Sequence, residues 1–394
     1  MSLFAQHGHG KSDKITTALA GTLDGVIFGA RNEKPEKLAA CLEDIRESFD
    51  VELLVDPQFY VCTQTPPNDR YLPDYPYYEP GRTAADFASL RRLRRYVEQT
   101  LDFQHGLGLD RIISPSVLFD SFDDRWSQIA LNLADASLEY HASLQNAPPL
   151  LLTFCFQEQA LTDRRELDGF LDQITAWNLA GLYLLVARED SIYSPSFEPA
   201  RLKQLLYTVY VLSNVNGFEV VCGYSDFVGL LLRAVGARAF SNGWSQGLRQ
   251  FHRRNLVRQR PGGQPPRFRY SSKPLLASIL LGELQQVCDV GMLDEVLSGV
   301  PLDAVITSAA SPEASDWNAR TSELHHWETL KDVDSILTGD LPADLDFLQA
   351  MLERASELYV ELKRAGVVFE RATTGVHARE WTDAITDFRS EIGV

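Results

Sequence analysis

Six polar side chains stand directly after short apolar runs, where a fold could gather them. Asp56 follows Glu-Leu-Leu-Val, Asp120 follows Ser-Val-Leu-Phe, and Gln157 with Glu158 follows Leu-Leu-Leu-Thr-Phe-Cys-Phe. Glu189 follows Gly-Leu-Tyr-Leu-Leu-Val-Ala-Arg, and Ser241 follows Ala-Arg-Ala-Phe. Carboxylates that face one another do general acid and base work, including at a glycosidic carbon, and a carboxamide reads the edge of a nucleobase. Each residue also has a structural reading. Asp56 before Pro57 makes an ordinary turn, Asp120 fits a cap for a helix near Arg125, and Asp226 fits a cap for the helix it precedes.

A second feature is electrostatic. Between Phe227 and Gly282 the chain carries ten Arg and Lys and no Asp or Glu, within a protein of formal charge -17. The residues are Arg233, Arg238, Arg249, Arg253, Arg254, Arg258, Arg260, Arg267, Arg269 and Lys273. Cations so concentrated repel one another unless anions sit among them, and the guanidinium fork suits phosphate oxygens. Trp244, Phe251, Phe268 and Tyr270 interleave with them and could stack on bases. The segment therefore points to a nucleic-acid backbone, DNA or RNA, on one face of the protein. The competing reading is that acidic helices of the same chain neutralise it. Arg91, Arg92, Arg94 and Arg95 form a smaller cluster in which Arg91 and Arg95 share a helix face, which reads either as an extension of the patch or, in preference, as a solvated face answering nearby acids.

The elements that would hold these residues follow from the apolar pattern. Runs at 25–29, 51–55, 111–114, 150–156, 181–186, 218–222 and 237–241 alternate with helix-length segments. Near-continuous apolar strands alternating with helices predict a parallel sheet buried on both faces. Seven such runs, with a possible eighth at 267–270, predict an α/β fold of the (β/α)8 TIM-barrel type. The expected organisation is a barrel over 1–290 and a mostly helical C-terminal extension over 291–394, including an amphipathic helix at 345–365. Chemistry then belongs at the carboxyl ends of the strands. The chain has no run of 18 apolar residues, which excludes a helical membrane span, and its polar start points to the cytoplasm. Its five scattered cysteines read as reduced core residues. Ala5 to Ser12 fits a loose Walker A pattern, but only four residues precede it, too few for the strand that should feed such a loop, and His7 and His9 read equally as a metal-binding pair or as part of a mobile polar terminus.

Several stretches resemble the tRNA-guanine transglycosylases and their DNA-acting 7-deazaguanine relatives, barrels that exchange a guanine base through a covalent glycosyl-enzyme intermediate. Leu-Leu-Val-Asp56-Pro-Gln-Phe59 resembles the family's strand ending in its acid-base Asp. Ser-Val-Leu-Phe-Asp120 and Thr-Phe-Cys-Phe-Gln157 resemble the segments that read the base, and Gly181 to Glu189 resembles the family's next strand. Gly223-Tyr-Ser-Asp226 and the stretch from Leu230 to Phe240 resemble its later motifs. The resemblance implies Asp56 as acid and base, Asp120, Gln157 and Glu189 as substrate-binding, and a nucleic-acid backbone near Arg249, Arg253, Arg254, Arg258, Arg260, Arg267, Arg269 and Lys273.

Two departures limit what it implies. Where the family places its nucleophilic Asp this chain has Ser241, a neutral hydroxyl without the charge to stabilise an oxocarbenium-like centre. Of the family's zinc ligands only Cys288 and one of His325 or His326 have counterparts, so zinc is not expected, nor any other cofactor. Three functions follow: a glycosyltransferase-like barrel that recognises or exchanges a guanine-like base, an inactive subunit of a nucleic-acid-binding complex that docks protein partners through acidic helices, or an unrelated barrel enzyme for a small phosphorylated substrate.

Overall fold

Nine short strands form one parallel sheet, because their residues are apolar on both faces and every face is covered. β1 (Leu3–His7), β2 (Gly25–Gly29), β3 (Glu52–Asp56), β4 (Ile112–Ile113), β5 (Leu118–Phe119), β6 (Leu150–Gln157), β7 (Gly181–Ala187), β8 (Glu219–Gly223) and β9 (Ala239–Asn242) pair in the order β3-β2-β1-β9-β8-β7-β6-β4, with β5 also on β6. All the pairings are parallel. β4 and β5 share one strand position, separated at Pro115, which has no N–H to give a ladder. Eight positions thus make a nearly closed (β/α)8-type barrel. The one seam lies between β3 and β4, where Leu53 N donates to Asp110 Oδ2 at 2.9 Å.

The structure is a computed structural model describing residues 2–8, 13–189, 193–259 and 267–394. It divides into two compact units, one of residues 1–191, 208–225 and 237–260, the other of residues 192–207, 226–236 and 261–394. The first contains the whole barrel sheet and helices α1 (Asp13–Leu19), α2 (Pro35–Ser48), α3 (Leu90–His105), α4 (Arg125–His141) and α5 (Arg164–Thr175). Each long helix follows its pattern. Pro35 opens α2 and its buried residues Leu38, Cys41, Leu42 and Ile45 repeat at helical spacing. Asp124 and Asp163 cap α4 and α5 by accepting from Ser127 N and from Arg165 N and Glu166 N. On α3, Arg94 meets Glu139 at 2.9 Å and Arg92 meets Asp86 at 3.4 Å, the solvated face its sequence predicts.

The eighth barrel strand is not at 267–270. It is β1, whose three apolar residues before Gln6 and His7 gave too short a run to stand out. Arg267 to Tyr270 instead leads into β10 (Arg269–Ser272), which pairs antiparallel with β11 (Ala277–Leu280) in the second unit. The Arg-Phe-Arg-Tyr alternation is the period of a strand with one wet face, whereas a barrel strand is apolar on both. β1 also supplies the strand that the Walker-like stretch needs, although His9 to Ser12 lie outside the described residues. His7 belongs to no mobile terminus. It is 3% exposed in β1, with its ring 4.6 Å from that of Phe28.

Along the chain, α6 (Pro199–Tyr210) and α7 (Val228–Ala234) follow β7 and β8, and the short α8 (Gln246–Arg249) follows β9. The second unit continues with α9 (Leu281–Asp289), α10 (Leu293–Val296), α11 (Ala304–Thr307), α12 (Ala319–Asp334), α13 (Leu341–Arg364) and α14 (Val376–Ile392). Tyr270, Leu275, Ile279, Leu284, Trp317 and Leu358 are among the residues of its own apolar core. Among the described residues no helix is long and apolar enough to cross a membrane.

Candidate functional site

The carboxyl ends of the barrel strands converge on Asp56, the last residue of β3. The chain turns sharply there: Asp56 Oδ1 accepts from Gln58 N at 2.9 Å, the aspartate turn its Pro-containing sequence predicts. Gln58 holds a left-handed backbone at φ 50°, uncommon for a side chain with a Cβ. The turn carries Tyr60 back so that its hydroxyl donates to Asp56 Oδ2 at 2.8 Å. From β7, Tyr183 brings its hydroxyl to 3.5 Å from the same oxygen. That ring fits because Gly223 on the next strand has no side chain, and a Cβ there would stand 2.7 Å from the Tyr183 hydroxyl.

A hydrogen-bonded chain extends from this carboxyl across the barrel. The Tyr183 hydroxyl lies 3.4 Å from Gln6 Oε1 of β1, and Ser241 Oγ of β9 donates to that same oxygen at 2.8 Å. Ser241 Oγ also accepts from Tyr224 N at 3.2 Å, and Gln58 Nε2 donates to the Tyr224 hydroxyl at 3.4 Å. Asp56 and Ser241, predicted as a pair, therefore do belong to one cluster, linked through Gln6 and Tyr183. Gln6 Nε2 and Ser116 Oγ are buried with no hydrogen-bonding partner among the described protein atoms. Burial leaves Asp56 1% exposed and Ser241 wholly covered.

The electrostatics follow from that burial. Loss of water pushes the Asp56 carboxyl up to about 6, against the Gln58 N–H, the Tyr60 hydroxyl, the Arg31 charge and the Tyr183 hydroxyl, which all favour its anion. Burial likewise drives the Tyr60, Tyr183 and Cys155 groups well above their ordinary values, so they stay protonated. Arg31, after β2, donates from its guanidinium to Asn255 O at 2.8 Å. The cluster is a carboxyl near its point of ionisation among neutral hydroxyls and amides, an arrangement suited to exchanging one proton with a polar, uncharged ligand.

The other predicted residues stand elsewhere at the barrel mouth. Gln157 ends β6 and is half-buried. Glu158 Oε2 accepts from Arg188 Nε at 2.5 Å, and its Oε1 accepts from the backbone N–H of the exposed Glu189 at 2.9 Å. Asp120 is half exposed and ion-paired with Arg253 at 3.1 Å and is not a member of the hydrogen-bonded chain around Asp56.

The cationic segment is divided between the two units. In the first, Arg238 pairs with Glu52, Arg253 with Asp120, and Arg258 with Asp69, while Arg249 is buried and Arg254 exposed. In the second, Arg233 pairs with Asp334, Arg267 with Glu370, and Lys273 with Asp332. Arg269 donates to Ser278 O at 2.8 Å and lies over the Tyr193 ring. Arg260 and the rest of the Pro-Gly linker to Pro266 lie outside the described residues. Acidic residues of the same chain thus meet most of these cations. His325 bonds Asp303 at 2.9 Å and His326 Nδ1 meets Ser271 Oγ at 2.8 Å. Among the described residues no group of three or more His, Cys, Asp and Glu is placed to hold a metal.

Gln6 and Tyr60 lie outside the stretches that resemble the family, and Gln58, Tyr183 and Tyr224 lie within them without having been singled out as site residues. One general signal was present: a tyrosine inside an apolar strand such as Gly-Leu-Tyr-Leu-Leu needs a partner for its hydroxyl.

No family model matches the chain, and no curated protein matches it in sequence. Solved structures with similarity include a glycosyl hydrolase of the GH3 family from Mycobacterium smegmatis, 12% identical with a TM-score of 0.39 over 83% of this chain and 94% of that one. An unknown protein from Bifidobacterium adolescentis is 13% identical with a TM-score of 0.34 over 62% of this chain and 83% of that one. A dihydrodipicolinate synthase from Bacillus clausii is 11% identical with a TM-score of 0.26 over 100% of this chain and 97% of that one. Likeness of this degree assigns no activity to the chain.

Proposed function

We propose that the barrel mouth takes up a planar, uncharged heterocycle of the nucleobase class, guanine-like in its hydrogen-bonding edge, and that Asp56 exchanges a proton with it. The observation that carries this is the buried Asp56 carboxyl, raised to about 6 inside a shell of hydroxyls and amides. A carboxyl so placed is a mixture of acid and anion near neutral pH, the condition for proton exchange in either direction. Gln6 Nε2 supplies a buried hydrogen-bonding group, and the rings of Tyr60 and Tyr224 supply apolar faces. The arginines of the first unit, Arg249, Arg253, Arg254 and Arg258, would hold the backbone to which the base is attached.

Recognition is better supported than covalent exchange. Ser241 Oγ gives its proton to Gln6 and accepts from Tyr224 N, which leaves the hydroxyl no neighbouring base to activate it. That same engagement favours the second reading, a catalytically silent nucleic-acid-binding barrel. Calorimetric titration of guanine and 7-deazaguanine at about pH 5, 6 and 7 tests the first, with expected affinities that change with pH through the Asp56 ionisation and lose that dependence in Asp56→Asn. Failure of both bases to bind at millimolar concentration would sink the reading. Incorporation of labelled guanine into an oligonucleotide or tRNA then separates exchange from recognition alone.

A further inference from the structure

The stretch after β9, residues 243–259, runs across the mouth of the barrel and is fastened to loops on several sides. Arg188 N donates to Phe251 O at 2.8 Å, Asn68 N to Leu256 O at 2.8 Å, and Arg258 N to Pro66 O at 3.0 Å. Isolated bridges join Ser225 to Gln250, Arg188 to His252 and Pro67 to Val257. At its base Gly243 N donates to Leu248 O, in a turn so tight that a Cβ on Gly243 would lie 2.1 Å from Leu248 Cβ. In its middle Phe251 is 3% exposed, with its ring 5.3 Å from both the Tyr60 and the Tyr224 rings. These tyrosines surround Asp56. The stretch carries four arginines and no acidic residue.

Two of those arginines, both exposed, fasten it through ion pairs. Arg253 meets Asp120 with both side chains about half exposed (52% and 51%), and Arg258, 68% exposed, reaches in to the buried Asp69 at 3.3 Å. Arg254 beside them is exposed. The Arg253–Asp120 pair, exposed on both sides, is weak, and the solvent-facing guanidinium of Arg258 is open to a competing anion, of which a row of phosphates is a strong one.

We propose that residues 243–259 form an autoinhibitory strap, with Phe251 as its stopper, which a chain of phosphates opens by taking Arg253 and Arg258 from Asp120 and Asp69. Asp120 is on this account an internal competitor for the ligand rather than a reader of the base. The inference rests on the mouth being a binding site, and it names how that site is regulated.

Cys155 gives a native reporter, because its fully buried thiol lies beside Asp56 and Tyr60 beneath the strap. The full chain is treated with methyl methanethiosulfonate, with and without a single-stranded DNA of about 20 nucleotides or inorganic polyphosphate, and labelling of each cysteine is followed by mass spectrometry. Hydrogen exchange of 243–259 is read in parallel. Loss of the two pairs should open the strap roughly 2- to 30-fold more often, so Asp69→Asn/Asp120→Asn should label Cys155 faster by that factor without any polyanion. Wild type should reach similar rates when either polyanion is added. DNA alone acting would assign the opening ligand to nucleic acid, and both acting would assign it to phosphate chains in general; either supports the strap. Cys155 labelling and strap exchange that neither the double variant nor either polyanion changes would overturn it. Phe251→Ala, which removes the stopper and keeps the pairs, should expose Cys155 while leaving the double variant's effect on polyanion affinity intact. Neither readout uses a base. A strap that opens while guanine fails to bind removes the proposed ligand and leaves the strap, and a static strap with bound guanine does the reverse.

Discussion

Asp56 is the residue on which the chemistry turns, and its energetics are measurable without a substrate. Its carboxyl titrates at about 6 in the folded protein, above the 3.8 it would show unfolded, because burial penalises the anion more than its hydrogen bonds favour it. The folded state therefore binds the proton more tightly. The stability this gives is fully present below about pH 4, is lost as pH rises to about 6, and is level above that, for a difference on the order of 3 kcal/mol. Asp56→Asn should keep the fold, because the amide oxygen can still accept from Gln58 N and the amide N–H groups can donate to the Tyr60 and Tyr183 hydroxyls. The expected outcome is a variant more stable than wild type at pH 7 and equal to it near pH 4, read by urea unfolding at each pH. A variant with the wild-type pH profile would show that Asp56 is not the group that titrates.

At the scale of the elements, the opposite end of the barrel is closed by charge. Glu52 starts β3, Glu219 starts β8, and Arg111 and Arg238 precede β4 and β9. Arg111 Nε meets Glu52 at 3.0 Å and its terminal nitrogen meets Glu219 at 2.8 Å, while Arg238 also reaches both glutamates. Glu52 is 7% exposed, so Glu52→Ala would strand two guanidinium groups against one half-exposed glutamate. A loss of about 3 kcal/mol is expected in urea unfolding, with little effect on ligand binding at the far end of the strands. A change below the error of the measurement would show that water compensates the two arginines. The barrel itself was legible because its strands are apolar on both faces, and Asp56 because a carboxylate followed by Pro at a strand end is a turn. β1 was not legible, since Leu-Phe-Ala is shorter than the run that distinguishes a strand, and with it Gln6 was lost. The two strand pieces around Pro115 were decided by pairing with β6, far along the chain, whereas β10 pairs with β11 just after it in a local hairpin whose wet face set it apart from a barrel strand. Tyr60 in the turn after β3, Tyr183 within β7 and Tyr224 just past β8 come together only through the folded barrel, which no local pattern encodes.

Across the whole molecule the charge anomaly that marked the sequence is answered from within. Six of the ten cations between Phe227 and Gly282 meet carboxylates: Arg233, Arg238, Arg253, Arg258, Arg267 and Lys273. An acidic protein can hold a basic segment at little cost when its own acids pair with it, so the segment by itself does not demand a polyanion. If it does bind one, the salt dependence reports the pairing. Ten uncompensated cations on a single strand would give a slope of roughly -7 in log affinity against log salt. An arginine that leaves a carboxylate for a phosphate gains one ion pair and loses another, so its net release of counterions is small. With Arg254 the exposed strap arginine that has no carboxylate partner among the described residues, the wild-type slope should be about -1. Asp69→Asn/Asp120→Asn frees Arg253 and Arg258 in advance and should bring the slope to about -2 with tighter binding at low salt. Fluorescence anisotropy of a labelled single strand over a series of salt concentrations measures both. A wild-type slope of about -5 or steeper would mean that the cations face the ligand unpaired, and the self-neutralised segment would have to be given up.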